Sequence, residues 1–342
     1  MDKAPLSYRY QSKTSTPVEV WQDEQKSLSD SPQEEPRDKL HRWEDIPAWQ
    51  RQASSNIDNE HIISGYRPPS YSWRISLLSI FSLHNESSQF SILTQAKTKK
   101  RSLTSATVNI HSHLLGSLLF AFLPLYTFHK LDPWHTAHAD IIDMIVFAVF
   151  FYGVAACFLL SSSFHVVSSH SPKIAAIGNQ LDYLGVVILM WGATIPTIYY
   201  GFYKDTRLQI VYCSLVSLLG GLCSIATCHP IFRTPSFRPY RAAMYAMLGL
   251  SSLVSVGHGI MLHGWHEQKQ RMSLDWMALM GLLNLTGAVI YAARIPERLA
   301  PGRFDIVGSS HQILHFMVIF AGLAHTVGLF RAFDYTHRKI DA

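Results

Sequence analysis

Cysteine is scarce in this sequence, with 4 residues in 342 and no CxxC pair. All four lie in apolar stretches, which is typical of small buried side chains and not of disulfides or metal ligands. The scarcity excludes a disulfide-rich secreted scaffold. Glycine and proline follow no fixed period, which excludes a collagen-like chain.

Charge is also scarce, but only in one part of the chain. Residues 1–105 contain 14 basic and 13 acidic residues, whereas the much longer stretch 106–342 contains 15 and 11. The 48% of apolar residues is high for a soluble protein. The sequence therefore has a polar N-terminal part and a long apolar part. Residues 1–42, which are rich in Ser, Pro, Gln and Glu, are predicted to form a disordered tail.

Apolar runs of about 20 residues recur in the second part, and this is the length that a helix needs to cross about 30 Å of hydrocarbon. A soluble helical domain is disfavoured, because seven such helices would leave almost no polar face for water. We predict an all-α membrane protein, with a seven-helix transmembrane bundle in residues 107–333 and a short C-terminal tail, residues 334–342. The predicted spans are residues 109–129, 141–165, 180–202, 208–228, 241–263, 273–293 and 311–332.

A short ordered juxtamembrane segment is predicted for residues 43–86, which are aromatic and patterned. It includes an amphipathic helix near residues 72–83 that would lie at the membrane interface. Basic residues do not decide the orientation of the bundle: a cytoplasmic N-terminus puts seven in inside loops and eight in outside segments. Only the basic cluster in residues 97–101 favours a cytoplasmic N-terminus.

Titratable side chains are costly in a bilayer, so those within the predicted spans are candidates for a functional site. His311 and His315 are four residues apart and lie on one face of the seventh helix. His165 ends the second predicted span, and Asp182 begins the third. Successive spans alternate in direction, so all four side chains are expected at the same side of the membrane.

Three histidines and one open position form a typical catalytic zinc site. His165, His311 and His315 would bind the ion, and Asp182 would hold the water or take its proton. Ser161 lies one turn before His165 on the same helix face. It would orient that ligand or donate a hydrogen bond to a substrate carbonyl. The alternative is a polar cluster that satisfies its own hydrogen bonds between helices.

Other membrane histidines carry weaker signals. His113 is predicted to make helix-packing hydrogen bonds instead of binding metal, and His325 to make an interhelical hydrogen bond. A bis-histidine haem needs one histidine from each of two helices, and the pair His311 and His315 on a single helix argues against it. A retinal protein is disfavoured because the seventh span has no lysine for a Schiff base.

Several motifs resemble those of the progestin and adipoQ receptor family, the adiponectin-receptor-like proteins related to haemolysin III. The motifs are WEDIPAW and GYRPP in the juxtamembrane segment, NIHSHLLG in the first span, residues 160–203 across the second and third spans, and residues 293–328 leading into the seventh. The resemblance covers about residues 43–332. It implies a seven-helix bundle with a cytosolic N-terminus and a zinc site near the cytoplasmic face.

The family's serine-x-x-x-histidine motif falls on Ser161 and His165, its aspartate on Asp182, and its histidine pair on His311 and His315. The resemblance implies a role in lipid metabolism and zinc homeostasis, with hydrolysis of ceramide as the reaction and a ceramide, sterol or fatty acid as the ligand. The alternative is a non-enzymatic signalling receptor with a structural zinc ion and a protein partner. Either would be a multi-pass protein of the endoplasmic reticulum, another endomembrane or the plasma membrane, and no nucleic acid partner is expected.

The sequence departs from the family pattern in one place. Residues 87–106 separate His84-Asn-Glu86 from Thr107, although the family joins these two motifs directly. We predict that these twenty residues are an insertion or a retained intron, and that a genuine insertion displaces Glu86 from the first span. All four charged residues in the stretch are basic, so most of the net charge of +5 comes from it.

Overall fold

The computed structural model describes residues 41–53, 59, 61–78, 80, 105–130, 133–229 and 237–340. Most of the predicted disordered tail, residues 1–40, lies outside the described residues, as do residues 81–104 with His84, Glu86 and most of the predicted insertion. The short helices are α1 (Ala48–Ala53), α2 (Trp73–Leu78) and α4 (Pro133–His138). The long helices are α3 (Ser105–Lys130), α5 (Ile141–Val167), α6 (Pro172–Gly201), α7 (Thr206–Cys228), α8 (Arg238–Arg271), α9 (Leu274–Ala293) and α10 (Ser310–Tyr335).

Seven helices in the described part of the chain are long and apolar enough to cross a membrane. They are α3 and α5 to α10, and each contains one of the predicted spans or most of it. The prediction of a seven-helix membrane protein is therefore confirmed. The largest differences in length occur in the third and fifth spans.

The third span begins earlier than predicted. Helix α6 starts at Pro172, whereas the apolar run predicted a start at residue 180. Proline suits the first turn of a helix, because the N–H that it lacks would have no partner there. The additional turns pack on α5, where Gly178 lies against Val167. Asp182 therefore lies in the third turn of α6, and the prediction that it begins the span was wrong.

The fifth span, α8, has a break where its predicted apolar run ends. Gly264 has φ 78° and ψ 163°, a conformation that glycine adopts easily and other residues rarely do. The polar residues after Gly264 continue as a short helical segment to Arg271. In this segment Gln268 is fully buried and donates a hydrogen bond to the carbonyl oxygen of Gly201, at 3.4 Å. The segment therefore folds against the end of α6.

The chain remains helical beyond the predicted seventh span. Helix α10 ends at Tyr335, and a π-helical turn, Thr336–Ile340, follows in the region predicted as a tail, residues 334–342. The carboxylate of Asp143, near the start of α5, is fully buried and lies 3.0 Å from Nε2 of His337. A buried carboxylate requires hydrogen-bond donors. The imidazole of His337 supplies one and so holds the C-terminal turn against the bundle.

Helices α5 and α6 pack closely because glycines line their interface. Gly178, Gly185 and Gly192 are seven residues apart and share one face of α6. A Cβ atom at Gly185 would lie 3.0 Å from Cα of Cys157, and one at Gly192 would lie 2.8 Å from the carbonyl oxygen of Val149. Contact between backbones at small residues is a common way for membrane helices to associate.

We expect Gly192→Ala to destabilise the bundle by about 1–3 kcal/mol, because the added methyl group meets backbone atoms of α5. Gly221→Ala in α7 is the matched control, since a Cβ atom there meets nothing within 4 Å. Alanine is the better helix former, so the control should keep or raise the thermal stability. Thermal unfolding in detergent measures both variants, and equal Tm values would contradict the close packing of α5 and α6.

The described part of the chain before α3 is joined by backbone hydrogen bonds. His41 and Tyr66 form an antiparallel bridge through backbone hydrogen bonds of 2.8 and 3.2 Å. Helix α2 lies within the amphipathic helix predicted near residues 72–83, and it exposes Trp73 and Leu77, which are 54% and 52% exposed. A position of this helix at the membrane interface stays a prediction.

Candidate metal centre

Three histidines from two helices meet where α5 ends and α10 begins. Nε2 of His311 lies 3.3 Å from Nε2 of His165 and 3.1 Å from Nε2 of His315. The three ligand atoms all lie within 4.8 Å of one another. His165 and His315 are buried and His311 is half-buried. The structure therefore brings together the three side chains that the sequence predicted as metal ligands.

The spacing of these nitrogen atoms fits a metal ion. Two ligands that each lie about 2.0–2.1 Å from a tetrahedral centre are about 3.3–3.4 Å apart. Hydrogen bonding alone accounts poorly for the cluster, because a ring nitrogen has one proton or one lone pair, and Nε2 of His311 faces two other nitrogens. Three imidazoles are also a donor set that zinc prefers. The residues present therefore fit such an ion.

Ser112 of α3 fixes the ring of His315. Its hydroxyl lies 3.1 Å from Nδ1 of His315 and donates to the carbonyl oxygen of Asn109, also at 3.1 Å. Because the hydroxyl proton is used in that bond, the oxygen accepts the proton of Nδ1, and the lone pair of Nε2 stays available for a ligand. Ser112 was not among the predicted site residues, although it lies within the motif NIHSHLLG.

His113 packs flat against His315, with ring centroids 3.5 Å apart and an interplanar angle of 6°. It also stacks on Phe158, with ring centroids 4.7 Å apart. His113 is buried, and neither of its ring nitrogens has a hydrogen-bond partner within the described ranges. His113 therefore packs between helices as predicted, but through the faces of its ring. The hydrogen bonds that were predicted for it are not observed within the described ranges.

The side chains of Ser161 in α5 and Asp182 in α6 lie near each other. Ser161 lies one turn before His165, is almost fully buried, and interacts through its side chain with the carboxyl group of Asp182. Asp182 is half-buried. Its oxygens are not among the clustered ligand atoms, so within the described residues the group that could hold an ion consists of the three histidines.

Two other membrane histidines make contacts between helices. Nε2 of His325 lies 3.0 Å from the carbonyl oxygen of Ala193, which confirms the predicted interhelical hydrogen bond. Nδ1 of His258 lies 2.9 Å from the hydroxyl of Tyr212. No role was predicted for His258, and neither residue of this pair carries a sequence signal that would have identified it.

Comparisons with known proteins give the family. A family model described as haemolysin-III related matches residues 101–326. The ADIPOR-like receptor IZH2 of Saccharomyces cerevisiae is 36% identical over 303 residues, which are 89% of this chain and 87% of that protein. The adiponectin receptor protein of Drosophila melanogaster is 36% identical over 291 residues, which are 85% of this chain and 59% of that protein.

The progestin and adipoQ receptor-like protein 1 of Caenorhabditis elegans is 35% identical over 295 residues, which are 86% of this chain and 61% of that protein. The chain thus spans less than two thirds of the fly and nematode relatives, but most of the yeast relative. The family model covers α3 and α5 to α9, the first part of α10 and the histidine group. The chain therefore belongs to the haemolysin-III-related family, as an adiponectin-receptor-like integral membrane protein with several membrane-spanning helices.

Proposed function

We propose that the protein binds zinc through His165, His311 and His315 and hydrolyses an amide bond of a membrane lipid such as ceramide. The observation that supports the proposal is the meeting of three imidazole nitrogens, with Nε2 distances of 3.1 and 3.3 Å, in the interior of a membrane bundle. When bound, zinc supplies a Lewis acid that polarises a carbonyl group and makes water a better nucleophile near neutral pH.

Asp182 is the proposed general base. A carboxylate oxygen of Asp182 accepts a proton from the attacking water and then donates it to the nitrogen of the leaving amine. The oxygen of water bonds to the amide carbon as the C–N bond breaks, and the products are a fatty acid and a sphingoid base. Ser161 orients the Asp182 carboxylate through the contact between their side chains.

The lipid enters from the bilayer, because its acyl chains are insoluble in water. Apolar side chains cover the outer faces of α7 to α9, with Leu218 and Leu285 each 63% exposed and Met261 85% exposed.

We assign the end of the bundle with the three histidines to the cytosolic side, on the basis of the family resemblance. Helix α3 begins at that end, as its contact between His113 and His315 requires.

We expect the purified protein in vesicles that contain ceramide to release fatty acid and sphingoid base. Removal of zinc by a chelator should stop the release, and added Zn²⁺ should restore it. Vesicles with the same zinc concentration and no protein are the control. Release that continues at the same rate after the metal is removed would contradict the proposal, as would a zinc-loaded protein that releases nothing.

The names of the relatives favour a second function. The names of two of them contain the word receptor: the ADIPOR-like receptor of yeast and the adiponectin receptor protein of the fly. In this alternative the zinc ion is structural, and the bundle transmits a signal that affects lipid metabolism and zinc homeostasis without hydrolysis. Both functions use the same three ligands and differ in their need for Asp182.

A further inference from the structure

Part of the juxtamembrane segment lies across the end of the bundle that carries the three histidines. We call Asn59 and residues 61–78 the strap. On one side the strap runs beside the residues that follow α5, where the backbone N–H of Ser70 donates to the carbonyl oxygen of Ser169, at 2.8 Å. The strap is therefore attached directly after the helix that carries His165.

Arg67 connects the strap to His165 itself. Its guanidinium group donates to the carbonyl oxygen of His165 and to Oγ of Ser168, the latter at 3.3 Å. Arg67 is 6% exposed, and its own carbonyl oxygen accepts a hydrogen bond of 2.6 Å from Gln50. Carbonyl groups in the last turn of a helix lack helical partners and carry partial negative charge. The positively charged guanidinium therefore caps the last turn of α5, where a positive charge is favourable.

The other side of the strap reaches the start of α10 through Glu297. Nδ2 of Asn59 donates to a carboxylate oxygen of Glu297, at 3.0 Å. Glu297 is fully buried and accepts hydrogen bonds from the backbone N–H of Ser310, at 2.8 Å, and from the Ser310 hydroxyl. Ser310 is the first residue of α10 and precedes His311. The N-terminus of a helix carries partial positive charge, so the negative carboxylate of Glu297 is favourable there.

A second attachment joins the strap to the chain that leads into α10. The carboxylate of Asp305 accepts hydrogen bonds from the backbone N–H groups of Ile63 and Ser64, at 3.1 and 2.8 Å. It also accepts one from the Ser64 hydroxyl, at 2.7 Å. The strap therefore bonds to both chain segments that deliver the histidines, although these segments are more than 100 positions apart in sequence.

We propose that Arg67 and Glu297 are positioning residues of the metal centre, and that the strap holds α5 and α10 at the separation that the three imidazoles need. The inference rests on the proposed zinc site. A metal centre requires its ligands to stay within about 0.5 Å of their working positions. Arg67 holds the backbone of one ligand residue, and Glu297 holds the residue before another. Loss of such support around a metal typically lowers its affinity by about 10–100-fold.

The test measures how fast the purified full-length protein loses Zn²⁺ to an excess of chelator. Arg67→Ala should release zinc about 10-fold faster than the wild type or more. Arg67→Lys should recover part of the loss, because an ammonium group can reach the His165 carbonyl but lacks the planar fork that also serves Ser168. Arg42→Ala is the matched control, since Arg42 is an exposed arginine just before the juxtamembrane segment and pairs with the exposed Glu44.

A second measurement separates positioning from a general loss of stability. Cobalt(II) replaces zinc in such sites, and its visible spectrum reports the geometry of its ligands. A variant that is only less stable keeps the wild-type spectrum in its folded fraction, whereas Arg67→Ala is expected to change the spectrum. If Arg67→Ala does not fold, Asn59→Ala tests the other side of the strap, and faster zinc release is again expected.

The possible outcomes distinguish this inference from the proposed zinc site. A folded Arg67→Ala protein with wild-type zinc release and an unchanged cobalt spectrum would overturn the role of the strap and leave the zinc site intact. A folded Asn59→Ala protein with wild-type release would do the same where Arg67→Ala fails to fold. A wild-type protein that binds neither metal would overturn both proposals.

Discussion

Replacing His311 by alanine is expected to remove zinc from the protein. Nε2 of His311 lies between those of His165 and His315, at 3.3 and 3.1 Å, so its loss leaves two nitrogens without a third ligand. A structural zinc site of four ligands binds with about 10–16 kcal/mol, or roughly 2.5–4 kcal/mol for each ligand. The affinity should therefore fall by about two to three orders of magnitude. Metal analysis of the protein after size-exclusion chromatography measures the effect.

His325→Ala is the matched control for this experiment. His325 lies on the same helix and is also buried, but its Nε2 bonds to the carbonyl oxygen of Ala193. Its removal should leave about one zinc ion for each chain. A triple variant of His165, His311 and His315 that still retains zinc would show that the metal binds elsewhere.

The histidine group could be predicted from the sequence because each of its parts is a local signal. The pair His311 and His315 has the spacing of a single helix turn, and His165 stands at the end of an apolar run of span length. The alternation of span directions then places all three at one side of the membrane. No contact between distant residues had to be known, and the structure brings the same three side chains together.

Helix ends were harder to predict, because hydropathy reports the membrane and not the helix. Helix α6 extends back to Pro172 through residues that pack on α5, and α8 continues after Gly264 as a polar segment against α6. In α6 the additional turns bury Ala175 and Gly178, and in α8 the segment after Gly264 buries Gln268 against the end of α6. The pattern of apolar residues in one segment does not show which other helix will pack against it.

The residues that support the site were not predictable for a related reason. Ser112 and His315 are 203 positions apart, Asn59 and Glu297 are 238 apart, and Arg67 reaches the backbone of a residue 98 positions away. Serine, asparagine and arginine are common near membrane surfaces, so their types alone indicate nothing. Their function depends on which partner the fold places beside them.

Asp182→Asn is expected to abolish most of the hydrolysis and to leave the zinc content unchanged. The amide group keeps the size of the carboxylate but cannot accept the proton of the attacking water. Loss of a general base lowers the rate by about 10²–10⁴-fold. The metal should remain, because the oxygens of Asp182 are not among the clustered ligand atoms. The expected change lies in kcat, measured as ceramide turnover by zinc-loaded protein in vesicles, with the KM little altered.

Asp275→Asn provides the same chemical change at a distance from the histidines. Asp275 lies in the first turn of α9, is 52% exposed at its side chain and pairs with Lys269, so turnover should not depend on it. If Asp182→Asn hydrolyses ceramide at the wild-type rate, Asp182 is not the general base. A different outcome is that neither variant nor the wild type hydrolyses ceramide, while both variants keep their zinc and their signalling output. In that case the metal is structural and the receptor function is favoured. The side chain of Asp182 therefore separates the two functions that the three histidines leave open.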